Sequence, residues 1–194
     1  MRPLSLRARA VLMCLALVCA MHARDGLAQE RVNPTAQVLQ DYQKRIDEYV
    51  DLRNDLKKQA PPAKETNDPA HIRAAQDGLA KRLREARRNA RAGDIFTLPV
   101  RQVFRRLMYP ELKGVEGAEA KQMLKEDAPA PASVPLKVNA KYPEDEPLPT
   151  VPPNLLAALP KLPEGLEYRI VRRDLILRDV DANLIVDFIP NAIR

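Results

Sequence analysis

Residues 166–193 read LEYRIVRRDLILRDVDANLIVDFIPNAI, and 13 of these 28 are Leu, Ile, Val or Phe. The runs 168–171, 175–180 and 184–189 are short, apolar and separated by polar triplets, which predicts three strands joined as an antiparallel meander. Asp181-Ala182-Asn183 is the stronger turn, because Asp and Asn tolerate the left-handed conformation, and Arg172-Arg173-Asp174 is the weaker one. Three strands of this length are not stable with a bare face. The tail must therefore dock on the chain's own helices, on another copy or on a partner, and Tyr168, Ile170, Leu175, Leu177, Ile185 and Phe188 are the expected docking surface.

Upstream of the tail the composition changes abruptly. Residues 129–163 contain 10 prolines and no glycine, which excludes a continuous helix and favours a semi-rigid extended arm. Within it Leu155, Leu156 and Leu159 could form one short helical turn. Before the arm, helical periodicity takes over. Asn33-Pro34 supplies a helix start, with Asn as cap and Pro at the first position. Val38, Tyr42, Ile46, Tyr49, Arg53 and Leu56 then recur at steps of three or four, predicting a helix over 34–57. Asp68-Pro69 repeats the signal, and Ile72, Leu79, Leu83, Ala86 and Ala90 predict a second helix over 69–92 closed by Gly93. The two read as an antiparallel hairpin, with the small Ala75, Ala86 and Ala90 at its seam. Val100, Val103, Phe104, Leu107 and Met108 predict a third helix, and residues 110–126 a weaker fourth, since Gly114 and Gly117 each cost roughly 1 kcal/mol against Ala in a helix. The fold expected is mainly α, a helical hairpin plus one or two short helices, with a proline-rich arm and a small C-terminal antiparallel β-meander.

Residues 1–28 carry the address. Arg2, Arg7 and Arg9 precede an apolar run from Ala10 to Met21, and Gly26-Leu27-Ala28 offers a cleavage site, the pattern of an export signal. Cleavage after Ala23 fits the pattern as well. The expected organisation is a signal over 1–28, a helical domain over 29–127, the arm over 128–165 and the tail over 166–194. Removing the signal removes both cysteines and one of two histidines. It leaves 28 cations against 25 anions, so the apparent charge of +6 falls to +3. The remaining basicity is local. Residues 69–106 hold ten Lys and Arg against three acids, whereas residues 111–147 hold eight acids against five lysines. Arg84, Arg88 and Arg91 are expected on one face of the second helix, where they could meet an anionic envelope surface. Nucleic acid is disfavoured, because no aromatic side chain interleaves the arginines between 73 and 91 to stack on bases.

Other chemistry finds little material. Asp179, Asp181 and Asn183 match the first three ligand positions of a calcium loop, but Leu184 stands where the turn needs Gly and Pro190 where a bidentate Glu is required. His71 is the one histidine beyond the leader, too few for a zinc site. Ser133 lacks a nucleophile-elbow context. Glu144, Asp145 and Glu146 lie in a proline-rich stretch where nothing would raise a carboxyl pKa for acid catalysis. No catalytic residue, metal ligand or cofactor is expected, and the chain reads as a non-enzyme.

Leu162-Pro163-Glu164-Gly165, then Tyr168-Arg169-Ile170-Val171, Leu175-Ile176-Leu177-Arg178-Asp179 and Leu184-Ile185-Val186-Asp187, resemble the C-terminal hairpin of several small exported bacterial proteins. These include uncharacterised families and the periplasmic nickel/cobalt-homeostasis family. The resemblance covers about 30 residues and implies a periplasmic location and the tail fold; a metal-homeostasis relative would imply an accessory role there. Together these readings give an exported, non-enzymatic interaction or assembly protein that engages another protein or another copy of itself through its tail. The alternative is an envelope-binding module using the basic face of the second helix.

Overall fold

The computed structural model describes residues 33–59, 68–130 and 133–193. The expected signal over 1–28 and residues 60–67 of the connector lie outside the described residues. Helix α1 spans Pro34–Lys58 and buries Tyr42, Ile46, Tyr49 and Arg53, one stripe at helical spacing. Helix α2 spans Pro69–Ala86; the Asp68 carboxylate accepts the Ala70 N–H at 2.9 Å and caps it. Helices α3 (Leu98–Glu111), α4 (Gly114–Glu126) and α5 (Pro153–Ala158) follow. Strands β1 (Leu166–Val171), β2 (Asp174–Asp179) and β3 (Leu184–Ile189) form an antiparallel sheet in chain order.

Both tail turns use left-handed backbone: Asn183 at φ 48° and, in the turn that looked weaker, Arg172 at φ 59°. The register pairs Tyr168 with Leu177 and Ile170 with Leu175. β3 carries an irregularity beside Leu177 and Arg178. β2 is buried along its whole length, which suits a central strand covered on both faces.

The two covers are different parts of the chain. Tyr168, Ile170, Leu175, Leu177 and Val186 join one core with Tyr42, Ile46, Leu83, Phe104 and Leu155 from the helices. Val171, Ile176 and Ile185 on the opposite face pack against Val134 and Tyr142 of the proline-rich arm. The arm also extends the sheet. Asn139 N–H donates to Ile185 O at 2.8 Å, Ile185 N–H to Ala140 O at 2.8 Å, and Lys141 bridges Leu184. Helices, sheet and arm thus form three layers, and Pro34–Arg194 is one compact unit.

Aromatic packing fixes the helix–sheet angle. Tyr42 stacks on Phe96 at 5.8 Å, and Phe104 lies edge-on to both Tyr42 and Tyr168. The Tyr168 hydroxyl donates to Pro160 O at 3.1 Å and accepts from Tyr42 at 2.8 Å. Burial pushes both phenols up from their ordinary pKa. The hairpin is less complete than its periodicity predicts. α2 buries only Leu79, Ala80 and Leu83, while Ile72, Ala75 and Ala86 are exposed.

Candidate anion-binding surface

Ion pairing divides the molecule sharply. Each cation of α1 has a carboxylate partner: Lys44 with Glu48, Arg45 with Asp41, Arg53 with Asp179 and Asp181, Lys57 with Asp181 and Lys58 with Asp55. Between residues 73 and 106 the pattern reverses. The exposed Arg73, Lys81, Arg84, Arg88, Arg91 and Arg106 form no ion pair among the described residues. Two of the three acids nearby are engaged elsewhere: Asp77 holds Lys141 at 2.9 Å, and the Asp94 carboxylate accepts the Arg91 backbone N–H at 2.8 Å, which leaves Glu85 alone among them on the surface. Arg84, Arg87 and Arg101 bond neutral oxygens instead, Arg84 to Asn139 O at 3.1 Å and Arg101 to Phe96 O at 2.7 Å.

Arg84, Arg88 and Arg91 do not share a helix face as the sequence predicted. α2 ends at Ala86, and Arg87 leaves helical geometry at φ −106°, ψ 28°. The cause is a long-range contact. Arg87 turns inward, donating to Asn139 Oδ1 at 2.9 Å and to Val186 O at 3.1 Å, while the Asn139 amide donates back to the Arg87 carbonyl at 2.9 Å. Its guanidinium lies over the Tyr49 ring, 4.9 Å from the centroid, and burial lowers its pKa. Arg84 therefore stands on the last turn of α2, and Arg88 and Arg91 on the exposed loop beyond it. The charge concentration survives, but on a helix end and a turn.

That turn is held from below. Asp187 on β3 is wholly buried, and its carboxylate accepts backbone N–H bonds from Gly93, Ile95 and Phe96 at 2.8–3.2 Å. Gly93 adopts φ 103° there, a conformation only glycine takes readily, so it shapes this loop and not the helix end. Beside it an open groove of about 420 Å³ runs between α1 and the loop, lined by Arg45, Tyr49, Arg87 and Asp94 among others.

The residues expected to dock on a partner are inside the molecule. Tyr168, Ile170, Leu175, Leu177 and Ile185 are buried and Phe188 is half-buried. The helices cover one face of the sheet and the arm the other, so the tail docks within its own chain. The carboxylates of the calcium-like turn are also engaged internally. Asp179 accepts from the Tyr49 hydroxyl at 2.7 Å and the Ala182 N–H at 2.9 Å, and Asp181 holds Lys57 at 2.8 Å. Burial raises the Asp179 pKa against the pull of those hydrogen bonds. Asn183 Oδ1 faces the Arg178 guanidinium at 2.8 Å. His71 meets Asp68 at 2.9 Å on the surface, Ser133 donates to Ala130 O, and Glu144 pairs with Lys141. No group of three or more His, Cys, Asp or Glu side chains is placed to hold a metal ion among the described residues.

Arg73, Lys81 and Arg106 belong to the exposed set but were not singled out by sequence reasoning. The spacing of 73, 81 and 84 on a helix places them on one side, a signal that was present; for Arg106 no local signal distinguishes it from Arg105, which bonds Pro190 O at 2.7 Å. No family model, no curated protein and no solved structure matches this chain.

Proposed function

We propose that this is an exported, non-enzymatic binding protein whose exposed cations hold it to an anionic surface of a bacterial envelope. The supporting observation is the contrast in pairing. The cations of α1 each have a carboxylate partner, whereas Arg73, Lys81, Arg84, Arg88, Arg91 and Arg106 stand on the surface without one among the described residues. Like charges held close together raise the local potential, and an external polyanion relieves their repulsion. The leader-like residues 1–28 support an envelope location. Assembly through the tail has less support, because the residues proposed for it are the core of the chain.

The test is retention on phosphate-bearing surfaces, as anionic vesicles or immobilised polyphosphate, as salt is raised. Binding is expected to fall steeply as the Debye length shrinks to about 3 Å at 1 M salt, and to weaken in Arg88→Glu/Arg91→Glu. Retention indifferent to both salt and charge reversal would refute the proposal.

A further inference from the structure

The outward face of α3 has an unusual mixture. Leu98, Gln102, Arg106 and Tyr109 recur at steps of four, four and three, so they lie along one side of the helix, and all four are exposed. Leu98 is 67% and Tyr109 58% exposed, large values for such side chains. The stripe continues past the helix end. Lys113 Nζ sits over the Tyr109 ring at 4.1 Å from its centroid, which brings the start of α4 alongside, and Val115 there is 77% exposed. Leu98 and Tyr109 are about 16 Å apart along the axis at 1.5 Å per residue. Apolar side chains thus mark both ends of an edge with cations between and beside them. Residues 98–116 hold Arg101, Arg105, Arg106 and Lys113 against Glu111 and Glu116.

A ligand that satisfied only the cations would leave Leu98, Tyr109 and Val115 in water. A lipid bilayer satisfies both sets: phosphates meet Arg106 and Lys113, aliphatic chains enter the acyl boundary, and a tyrosine ring sits at headgroup depth. No helix among the described residues is long and apolar enough to cross a membrane, so the geometry suits lying on a bilayer surface.

We propose that this edge, Leu98, Arg106, Tyr109, Lys113 and Val115, inserts shallowly into an anionic lipid bilayer. It rests on the anionic-surface reading and names the surface as lipid, in preference to a soluble or cell-wall polyanion.

The chain contains no Trp, so single Trp reporters are unambiguous. Leu98→Trp and Val115→Trp, each in the full chain, are mixed with vesicles of phosphatidylglycerol and phosphatidylethanolamine, with phosphatidylcholine vesicles or with polyphosphate. Ile72→Trp, at an exposed position on the first turn of α2, is the control. The emission of Leu98→Trp and Val115→Trp is expected to shift to shorter wavelength with the anionic vesicles alone, and that of Ile72→Trp to stay fixed. The combined Leu98→Ser/Tyr109→Ser/Val115→Ser variant is expected to lose about tenfold in vesicle affinity and to bind polyphosphate as the parent does. Vesicle binding without an emission shift, and unchanged in the serine variant, overturns insertion while leaving the cationic reading intact. Failure to bind vesicles or polyphosphate overturns both. A shift that grows with protein concentration in the absence of lipid assigns the edge to self-association and also overturns insertion.

Discussion

Asp187 Oδ2 accepts the backbone N–H of Phe96 at 2.8 Å, joining the third strand to the loop that leads into α3. The same carboxylate also receives Gly93 and Ile95, so one side chain satisfies three main-chain donors that have no other partner in the loop. Asp187→Ala leaves those donors buried and unmet, at about 1–3 kcal/mol each. The expected outcome is a loss of at least about 3 kcal/mol in urea unfolding, with Asp187→Asn intermediate. A loss below about 1 kcal/mol for Asp187→Ala would show that the loop finds other acceptors.

Glu167 and Asp179 give opposite pH signatures. Burial alone would raise the Glu167 pKa, but its hydrogen bonds from Arg169 and Arg178 outweigh that and hold it below its ordinary value of 4.5. Its contribution to stability is present above that value and is lost as pH falls through the lower folded-state pKa. Glu167→Gln should therefore be less stable than the parent at neutral pH, with the difference closing in acid. Equal stability at neutral pH would refute this.

For Asp179, burial raises the pKa above 3.8. The folded state holds the proton more tightly than the unfolded chain, so this group costs stability as pH rises from 3.8 through the raised value. In Asp179→Asn that loss is absent, and the unfolding free energy should follow a flatter course over this window than the parent's. Parallel curves would show that the Asp179 proton is not what sets the slope.

Gly117 separates two arguments that disagree. Helix propensity alone says Ala at 117 would gain roughly 1 kcal/mol in α4. The structure says the reverse, because a Cβ there would collide with the backbone carbonyl of Leu112 at the α3–α4 junction. Gly117→Ala is expected to destabilise by more than about 1 kcal/mol in chemical unfolding. Gly114 offers the contrast: its surroundings are open but its φ is 69°, so substitution there should cost through backbone strain alone.

Gly165 holds the arm against α1. It has φ 80°, and a Cβ would strike the Arg53 guanidinium and come within 3.0 Å of Asp181 Oδ2. Arg53 is buried and donates to Glu164 O at 2.9 Å, so it has little room to retreat. Gly165→Ala should cost at least about 1–2 kcal/mol from the left-handed conformation, and less in an Arg53→Met background. Equal costs in both backgrounds would show that the guanidinium is not the obstacle.

Elements defined by neighbouring residues were legible in the sequence. Asn33-Pro34 and Asp68-Pro69 marked two helix starts, and the three apolar runs of the tail became β1, β2 and β3. What escaped was decided by residues far apart. The end of α2 depends on Arg87 meeting Asn139, 52 positions away, and no local pattern announces a capping partner at that distance. The arm was legible as extended, but not as a covering layer, because Val134 and Tyr142 are its only side chains fully buried against the sheet and the backbone pairing of Asn139–Lys141 with β3 leaves no pattern in the sequence. Arg84, Arg88 and Arg91 were legible as a charge excess; their division between a helix end and a turn was not.

The sheet's position in the chain has a consequence for how the protein is made. β3 lies between β2 and the arm, and Asp187 on it anchors the loop before α3. Tyr42 of α1 and Phe104 of α3 pack on each other, but the part of their apolar faces that meets Tyr168, Ile170 and Leu177 stays uncovered until the sheet residues 166–189 have been made. A nascent or truncated chain ending before residue 166 would carry that part of the faces bare, a state open to proteases and chaperones. Synthesis of the sheet is thereby built into the folding step of the helices that precede it.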